Sequence, residues 1–282
     1  MNPGGPADGP GRGILSPDEA STLLASPTVD MEVGALRDAP VLVVDGADRL
    51  PVETTARLAT LPIVSVGIAP AGSALGFDVL VDDAEAAHAV GDGVVANPMA
   101  AVTCCQVLRH APWASTDAGL VIESTAFATL QAGPEFARWL DGRGRRVRPD
   151  EPEPPVLVDM DGPEVVLTLN RPRLRNAWSA AMRDALVDAL RALATDGDAR
   201  PIRLEGAGPA FCCGGDPAEF GTVEDPATAH LVRSSANAAP WLDRLAERLT
   251  AVVHGPAVGA GAELTAFAGQ VRATDDATFR LP

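Results

Sequence analysis

The chain has 282 residues, of which 46% are hydrophobic and 21% are charged, and its formal net charge is −16 at pH 7. This length and composition allow one large domain or two ordinary ones with a sizeable core. The acidic balance argues against nucleic acids and anionic membranes as partners, because both are themselves negatively charged.

The cysteines indicate a reducing compartment. They form two adjacent pairs, Cys104-Cys105 and Cys212-Cys213. Neighbouring cysteines rarely bridge, and the chain has no C-x-x-C spacing typical of a metal site, so we expect free thiols and no metal. No apolar run reaches the ~20 residues that a membrane span requires, and the first residues lack the order of a signal peptide. We therefore predict a cytoplasmic protein without a membrane partner.

The sequence of the first half predicts alternating strands and helices. Its first 13 residues, rich in Gly and Pro, predict a disordered leader. A capping box at Ser16–Glu19 predicts a helix to about Ala25. Further on, the pattern predicts strands at 40–45, 62–69 and 77–81 and helices at 52–61 and over 98–140, the latter broken at 111–112 and 133–134. Such alternation indicates an α/β fold, and the Arg- and Pro-rich residues 142–155 predict an exposed linker.

The second half opens with a predicted hairpin, whose strands are 156–160 and 165–169. An amphipathic helix is predicted over 179–193, with one apolar face formed by Met182, Leu186, Ala189, Leu190 and Leu193. A strand then enters the small-residue turn 206–215, and Asp216-Pro217-Ala218-Glu219 predicts a helix start. A second strand enters the Gly-rich turn 255–261, with a helix from about Ala262.

The two small-residue turns together predict one binding site for a carbonyl oxygen. Glycine and alanine leave backbone N–H groups open to a ligand, and two such groups aimed at one carbonyl oxygen form an oxyanion hole. Glu263 lies one turn into the second helix, where it could transfer protons beside that oxygen. The alternative is two ordinary strand–helix turns packed by small residues.

Four stretches in order resemble the crotonase (enoyl-CoA hydratase/isomerase) superfamily: Leu169–Ala177, Gly206–Asp216, His254–Glu263 and Ala273–Pro282. The resemblance covers about residues 156–282 and implies a spiral of ββα units. We expect residues 39–142 to form a shortened, degenerate copy of the same α/β module, preceded by a leader and short helix at 1–38 and followed by a linker at 143–155. Residues 97–142 resemble the helical tail of the family, so we expect them to supply helices to the second half.

The resemblance also implies roles for individual residues. The oxyanion donors fall on the N–H groups of Cys213 and Ala260, and the first catalytic carboxylate falls on Glu263. Substrate-binding positions fall on Ala177, Gly214, Asp216 and Gly261, and on Arg173 and Arg175, which are candidates for the phosphates of coenzyme A. The alternative for these arginines is solvated loop charge.

The implied activity is enolate chemistry on an acyl-CoA thioester, with hydration of a 2-enoyl-CoA as the default and no cofactor beyond the coenzyme A of the substrate. The resemblance also implies a homo-oligomer. The second carboxylate of the family would follow Pro282, where the printed sequence ends, so we expect either a fragment of a longer enzyme or a chain that is a poor enoyl-CoA hydratase by itself. A non-catalytic acyl-CoA-binding or scaffolding subunit is the alternative function.

Overall fold

The structure is a computed structural model that describes residues 13–144, 152–195, 197, 199–223 and 225–281. The predicted leader, up to residue 12, and residues 145–151 of the predicted linker lie outside the described residues. The chain divides into two compact units. The first comprises the residues up to Trp113 together with Gly133–Phe136, and the second comprises Ala114–Ala132 and the residues from Ala137 onward.

The first unit alternates short strands and helices as predicted. The elements are β1 (Ile14–Leu15), α1 (Pro17–Ala25), α2 (Val29–Glu32), β2 (Val41–Asp45), α3 (Val52–Thr55), β3 (Val64–Ile68), β4 (Val79–Val81), α4 (Ala84–Ala96) and α5 (Pro98–Arg109). The predicted capping box is present, because Ser16 and Glu19 bond to each other's backbone N–H. The predicted helix at 52–61 is wrong beyond Thr55, where a 3₁₀ turn at Leu58–Thr60 replaces it.

The first sheet is parallel throughout, in the order β1-β2-β3-β4. The two central strands are buried on both faces, which explains their continuous apolar sequences. Helix α4 was not predicted, although Asp83 caps it by accepting from the N–H of Ala86 at 2.8 Å. Only Ala87 and Val94 of this helix are buried. Its alanine- and glycine-rich sequence therefore shows little of the apolar periodicity by which an amphipathic helix is predicted.

The second unit contains the helices and strands that follow. They are α6 (Thr116–Gln131), α7 (Pro134–Arg143, which begins in the first unit), β5 (Val156–Asp159), β6 (Val165–Leu169), α8 (Ala180–Thr195), β7 (Ile202–Gly206), α9 (Pro226–Ser235), α10 (Ala239–Arg244), β8 (Leu249–Val253), β9 (Pro256–Val258), α11 (Ala260–Ala266), β10 (Gln270–Ala273) and β11 (Thr278–Arg280). The predicted hairpin β5–β6 is confirmed, with Val156 opposite Leu169.

The main sheet of this unit has the order β10-β8-β7-β6-β5, and only the hairpin pair is antiparallel. Its inward face packs against α8 and α10. The core includes the predicted apolar face of α8 together with Leu167, Leu169, Ile202, Leu204, Phe211, Leu242 and Leu249. A separate pair, β9 and β11, is also parallel, with Phe279 opposite Ala257. Mixed α/β architecture with parallel sheets is therefore confirmed.

The two sheets share a strand order. Strands β2, β3 and β4 are consecutive neighbours in the first sheet, as β7, β8 and β10 are in the second. The first unit lacks a counterpart of the antiparallel hairpin strand β5 among its described residues. That the first unit is a degenerate copy of the second stays a prediction.

Helix α6 belongs to the second unit although it precedes the linker. It packs on α9 and α10, so the division of the chain differs from the predicted boundary at 142. That the first half supplies helices in place of the family's helical tail stays a prediction, with which the packing of α6 is consistent. Near it, Trp139 of α7 meets Phe220 edge to face, with ring centroids 5.5 Å apart.

Candidate active site

Backbone hydrogen bonds join the two small-residue turns. The N–H of Phe211 donates to the carbonyl oxygen of His254 at 3.0 Å, the N–H of Cys212 donates to that of Pro256 at 3.2 Å, and the N–H of Val258 donates to that of Cys212 at 2.9 Å. The predicted juxtaposition of the turns is therefore present. Cys212 of the first turn therefore lies beside strand β9, which leads into α11.

Two glycines leave no room for a side chain where the turns touch. A Cβ added at Gly261 would lie 2.3 Å from the carbonyl oxygen of Cys212, and one at Gly214 would lie 3.0 Å from that of Val258. Gly214 also has a φ of +93°, which disfavours any other residue. Their small size therefore serves the packing of one turn on the other.

The two predicted oxyanion donors differ in their present partners. Ala260 is the first residue of α11 and half-buried, and its N–H has no acceptor among the described residues, as expected in a first helical turn. By contrast, the N–H of Cys213 donates to the carbonyl oxygen of Arg175 at 3.0 Å. A thioester oxygen in this position would have to share that donor or displace the carbonyl.

Glu263 lies on the first turn of α11, and its N–H closes that turn by donating to the carbonyl oxygen of Gly259 at 2.9 Å. The residue is exposed, and its carboxylate has no hydrogen-bond or ion-pair partner among the described residues. Desolvation by the surrounding turns raises the pKa of this carboxyl. A free carboxylate with a raised pKa has the character of a general acid–base group.

The loop before α8 is held by an amide that sequence reasoning missed. The side-chain Nδ2 of Asn176 donates to the carbonyl oxygens of Ala207, Ala210 and Phe211 at 2.8–3.1 Å, and its Oδ1 accepts from the N–H of Arg171 at 2.7 Å. Asn176 has a φ of +54°, a conformation that asparagine tolerates. Its position directly before Ala177 in the first motif was the available signal.

Asp216 is a buried residue, and its role in substrate binding stays a prediction. It is 5% exposed, and its Oδ2 accepts from Nη2 of Arg171 at 2.9 Å while its Oδ1 accepts from the N–H of Ala218. The buried carboxylate therefore anchors the loop at 171–177. The predicted helix start at Asp216 is wrong: residues 217–220 form only a turn, and the next helix begins at Pro226 with Asp225 as its cap.

The three arginines of this loop have different environments. Arg171 is buried with Asp216 and also donates to the carbonyl oxygen of Ala177 at 2.5 Å. Arg173 and Arg175 are exposed, as a phosphate-binding role requires. Ala177 is 4% exposed, so only its backbone and its packing are available for the predicted contact with substrate.

The neighbouring thiols are poor nucleophiles. Burial raises the pKa of the Cys212 thiol to about 12 and also raises that of Cys213. Because the thiolate is the reactive form, neither is poised for attack at neutral pH. This agrees with the predicted use of the backbone, rather than the side chain, at Cys213.

A cavity of about 710 Å³ lies elsewhere in the second unit, over strands β7, β8 and β10, and is lined by residues such as Arg203, Thr250 and Arg272. None of the candidate site residues lines it. Within the described ranges, no three potential metal ligands cluster, and no helix has the length and apolar character needed to cross a membrane.

Comparison with known proteins gives a consistent family match. Residues 164–282 match the family described as enoyl-CoA hydratase/isomerase. Over 127 residues, the chain is 37% identical to a probable enoyl-CoA hydratase, echA14, of Mycobacterium tuberculosis, covering 42% of this chain and 46% of that one. It is 36% identical to the 2,3-dehydroadipyl-CoA hydratase of Escherichia coli, covering 45% and 49% respectively.

Among solved structures, an enoyl-CoA hydratase of Mycobacterium smegmatis is 38% identical over 45% of this chain and 50% of that chain, with a TM-score of 0.42. The chain spans about half the length of the curated relatives it matches.

Proposed function

Because residues 164–282 match the enoyl-CoA hydratase/isomerase family, we propose that this chain acts on acyl-CoA thioesters, with hydration of a 2-enoyl-CoA as its reaction. The observation that carries the proposal is the arrangement of α11. The N–H of Ala260 opens the helix and the carboxylate of Glu263 follows one turn later, and neither group has a hydrogen-bond partner in the part of the chain that the structure describes. These two groups suit an enolate oxygen and a moving proton.

In the proposed reaction, the thioester oxygen accepts hydrogen bonds from the N–H groups of Ala260 and Cys213. Glu263 takes a proton from water as the water oxygen bonds to C3 of the enoyl group. The electron pair of the C2=C3 double bond moves toward the thioester oxygen, where the two donors stabilise the developing negative charge. The enolate then re-forms the thioester carbonyl as C2 takes the proton that Glu263 accepted from water, which gives the 3-hydroxyacyl-CoA product and restores the carboxylate of Glu263.

The proposal assigns the phosphates of coenzyme A to Arg173 and Arg175, which are exposed beside the first turn. Guanidinium groups bind phosphate well because their donors match its oxygens. No cofactor beyond the coenzyme A of the substrate is required. The family resemblance also leads us to propose a homo-oligomer and a cytoplasmic location.

A non-catalytic acyl-CoA-binding subunit is the second candidate. It is favoured by one observation, the 3.0 Å hydrogen bond that commits the N–H of Cys213 to the carbonyl oxygen of Arg175. Calorimetry with crotonyl-CoA, followed by a hydration assay that measures loss of enoyl absorbance, separates the two. Binding with turnover that Glu263→Gln abolishes supports the enzyme, and binding without turnover supports the subunit. A folded chain that does not bind crotonyl-CoA at millimolar concentration would refute both.

A further inference from the structure

Helices α6 and α7 pack on different parts of the second unit. Helix α6 lies on α9, where Nε of Arg233 donates to Oγ of Ser124 at 3.0 Å and the guanidinium stacks over Phe127 at 4.9 Å. Helix α7 lies instead on the loop at 217–222, which directly follows the first small-residue turn. The α7 residues in this contact belong to the second unit. Helix α7 therefore touches a segment that adjoins the candidate active site.

Two side chains of α7 hold this loop. The Trp139 ring meets the Phe220 ring edge to face, with 5.5 Å between the centroids. The guanidinium of Arg143 lies 4.7 Å from the Trp139 centroid and 5.8 Å from that of Phe220, and its Nη2 donates to the carbonyl oxygen of Pro217. Paired rings with a cation over them favour one arrangement of the two segments.

The same loop contacts the site on its other side. A Cβ added at Gly215 would lie 3.1 Å from Cζ of Phe220, so the ring packs directly on the turn. Glu219 accepts from the N–H of Ala180 at 2.8 Å, which joins the loop to the start of α8. Phe220 therefore lies between Trp139 of α7 and the residue that ends the turn.

The turn carries a proposed oxyanion donor close to this contact. Gly215 lies two residues after Cys213, whose N–H has that role in the proposed reaction. Trp178 borders the same stretch: its N–H donates to the carbonyl oxygen of Gly214 at 2.7 Å, and its carbonyl oxygen accepts from the N–H of Asp216 at 2.8 Å. A movement of the loop would reach the donor through two peptide units, and a misplacement of about 1 Å can lower a rate by about 10²-fold.

We propose that α7 positions the first small-residue turn for the acyl-CoA reaction, with Trp139 and Arg143 as positioning residues that act through Phe220. The inference rests on the proposed function. Neither side chain is assigned a contact with substrate; both act on the direction of the Cys213 N–H. The signal available in the sequence was the spacing of Trp139 and Arg143, because residues four apart lie on one face of a helix.

The first test removes the Trp139 ring, which is 48% exposed, so that the core stays intact. Trp139→Ala should lower kcat for crotonyl-CoA hydration by about 10- to 100-fold, while calorimetry shows nearly unchanged affinity for crotonyl-CoA. Trp139→Phe keeps a ring against Phe220 and should restore most of the rate. The matched control is Arg244→Met, which removes a cation 5.1 Å from the Trp241 ring in α10 and should keep the wild-type rate.

Amide hydrogen exchange, measured by NMR on the free protein, tests the positioning without turnover. In Trp139→Ala and in Arg143→Met, the amides of Trp178 and Asp216 should exchange about tenfold faster than in the wild type, because the loop no longer holds the turn. Arg143→Lys keeps a cation and a donor and should exchange more like the wild type. The amides of the hairpin β5–β6 should be unchanged in all these variants.

Unchanged exchange at Trp178 and Asp216 in Trp139→Ala would overturn the inference. Faster exchange without a loss of kcat would also overturn it, as would an equal acceleration of every amide, which indicates a general loss of stability. These outcomes leave the proposed function standing. A wild-type chain that does not bind or does not hydrate crotonyl-CoA would overturn both.

Discussion

Arg171 and Asp216 form a buried ion pair that ties the loop before α8 to the first small-residue turn. Nη2 of the arginine lies 2.9 Å from Oδ2 of the aspartate, and their side chains are only 4% and 6% exposed. Charges in such a place are held by each other and by their remaining hydrogen bonds. The pair therefore makes the loop geometry depend on both partners.

Asp216→Asn should destabilise the second unit by about 3–5 kcal/mol, because it leaves the guanidinium of Arg171 buried without its counter-charge. Urea unfolding monitored by circular dichroism measures the change. The matched control is Asp184→Asn, which breaks the more exposed pair with Arg183 and should cost at most about 1 kcal/mol. Equal losses in the two variants would contradict a special role for the buried pair.

Gly261→Ala should reduce affinity for acyl-CoA and hydration activity, because the added Cβ would meet the carbonyl oxygen of Cys212 at 2.3 Å and force the two turns apart. The control is Gly93→Ala in α4, where an added Cβ meets nothing within 4 Å. That variant should be more stable, by up to about 1 kcal/mol, since alanine is the better helix former. Calorimetry and thermal unfolding check both. Normal binding by Gly261→Ala would show that the turns can separate without loss.

Arg173→Gln combined with Arg175→Gln should weaken binding of crotonyl-CoA and reduce its dependence on salt, because both cations would be removed from the phosphates. Binding of S-crotonyl-pantetheine, which lacks the nucleotide phosphates, should not change. Calorimetry at two salt concentrations measures both ligands. A loss of affinity for both would mean that the substitutions disturb the loop rather than a phosphate contact.

Glu263 should make stability depend on pH. Its raised pKa means that the folded chain holds this proton more tightly than the unfolded chain. Stability therefore falls as the pH rises above the ordinary glutamate value of about 4.3. Glu263→Gln should be more stable than the wild type at neutral pH, and the difference should shrink below that value. Urea unfolding at several pH values tests this, with the exposed Glu247→Gln as the control. A difference independent of pH would argue against desolvation of the Glu263 carboxyl.

The sequence predicted the elements whose cause is local. The capping box at Ser16, the hairpin β5–β6 and the apolar face of α8 each follow from spacing alone. The failed helix at Asp216 shows the limit, because its cap residue is drawn away by Arg171, 45 positions earlier. Helix-propensity and capping rules describe neighbours within one or two turns of the chain, so they do not include a partner this distant in sequence.

The candidate site likewise has features that the motifs predict and features that depend on packing. Glu263 and the glycines Gly214 and Gly261 were predicted from motifs, and the structure brings their turns together. The hydrogen bond from the N–H of Cys213 to the carbonyl oxygen of Arg175 depends on how two distant segments pack, so no local pattern could predict it.

The contact between Ser124 and Arg233 spans 109 positions of the chain, and it determines the order in which the protein can assemble during translation. At roughly 5–20 residues per second, α6 leaves the ribosome on the order of 5–20 s before α9 exists to receive it. Until then the side chains of this helix lack their partners on α9, as Phe127 lacks Arg233. Translation speed and chaperone occupancy over that interval should therefore influence the yield of active protein.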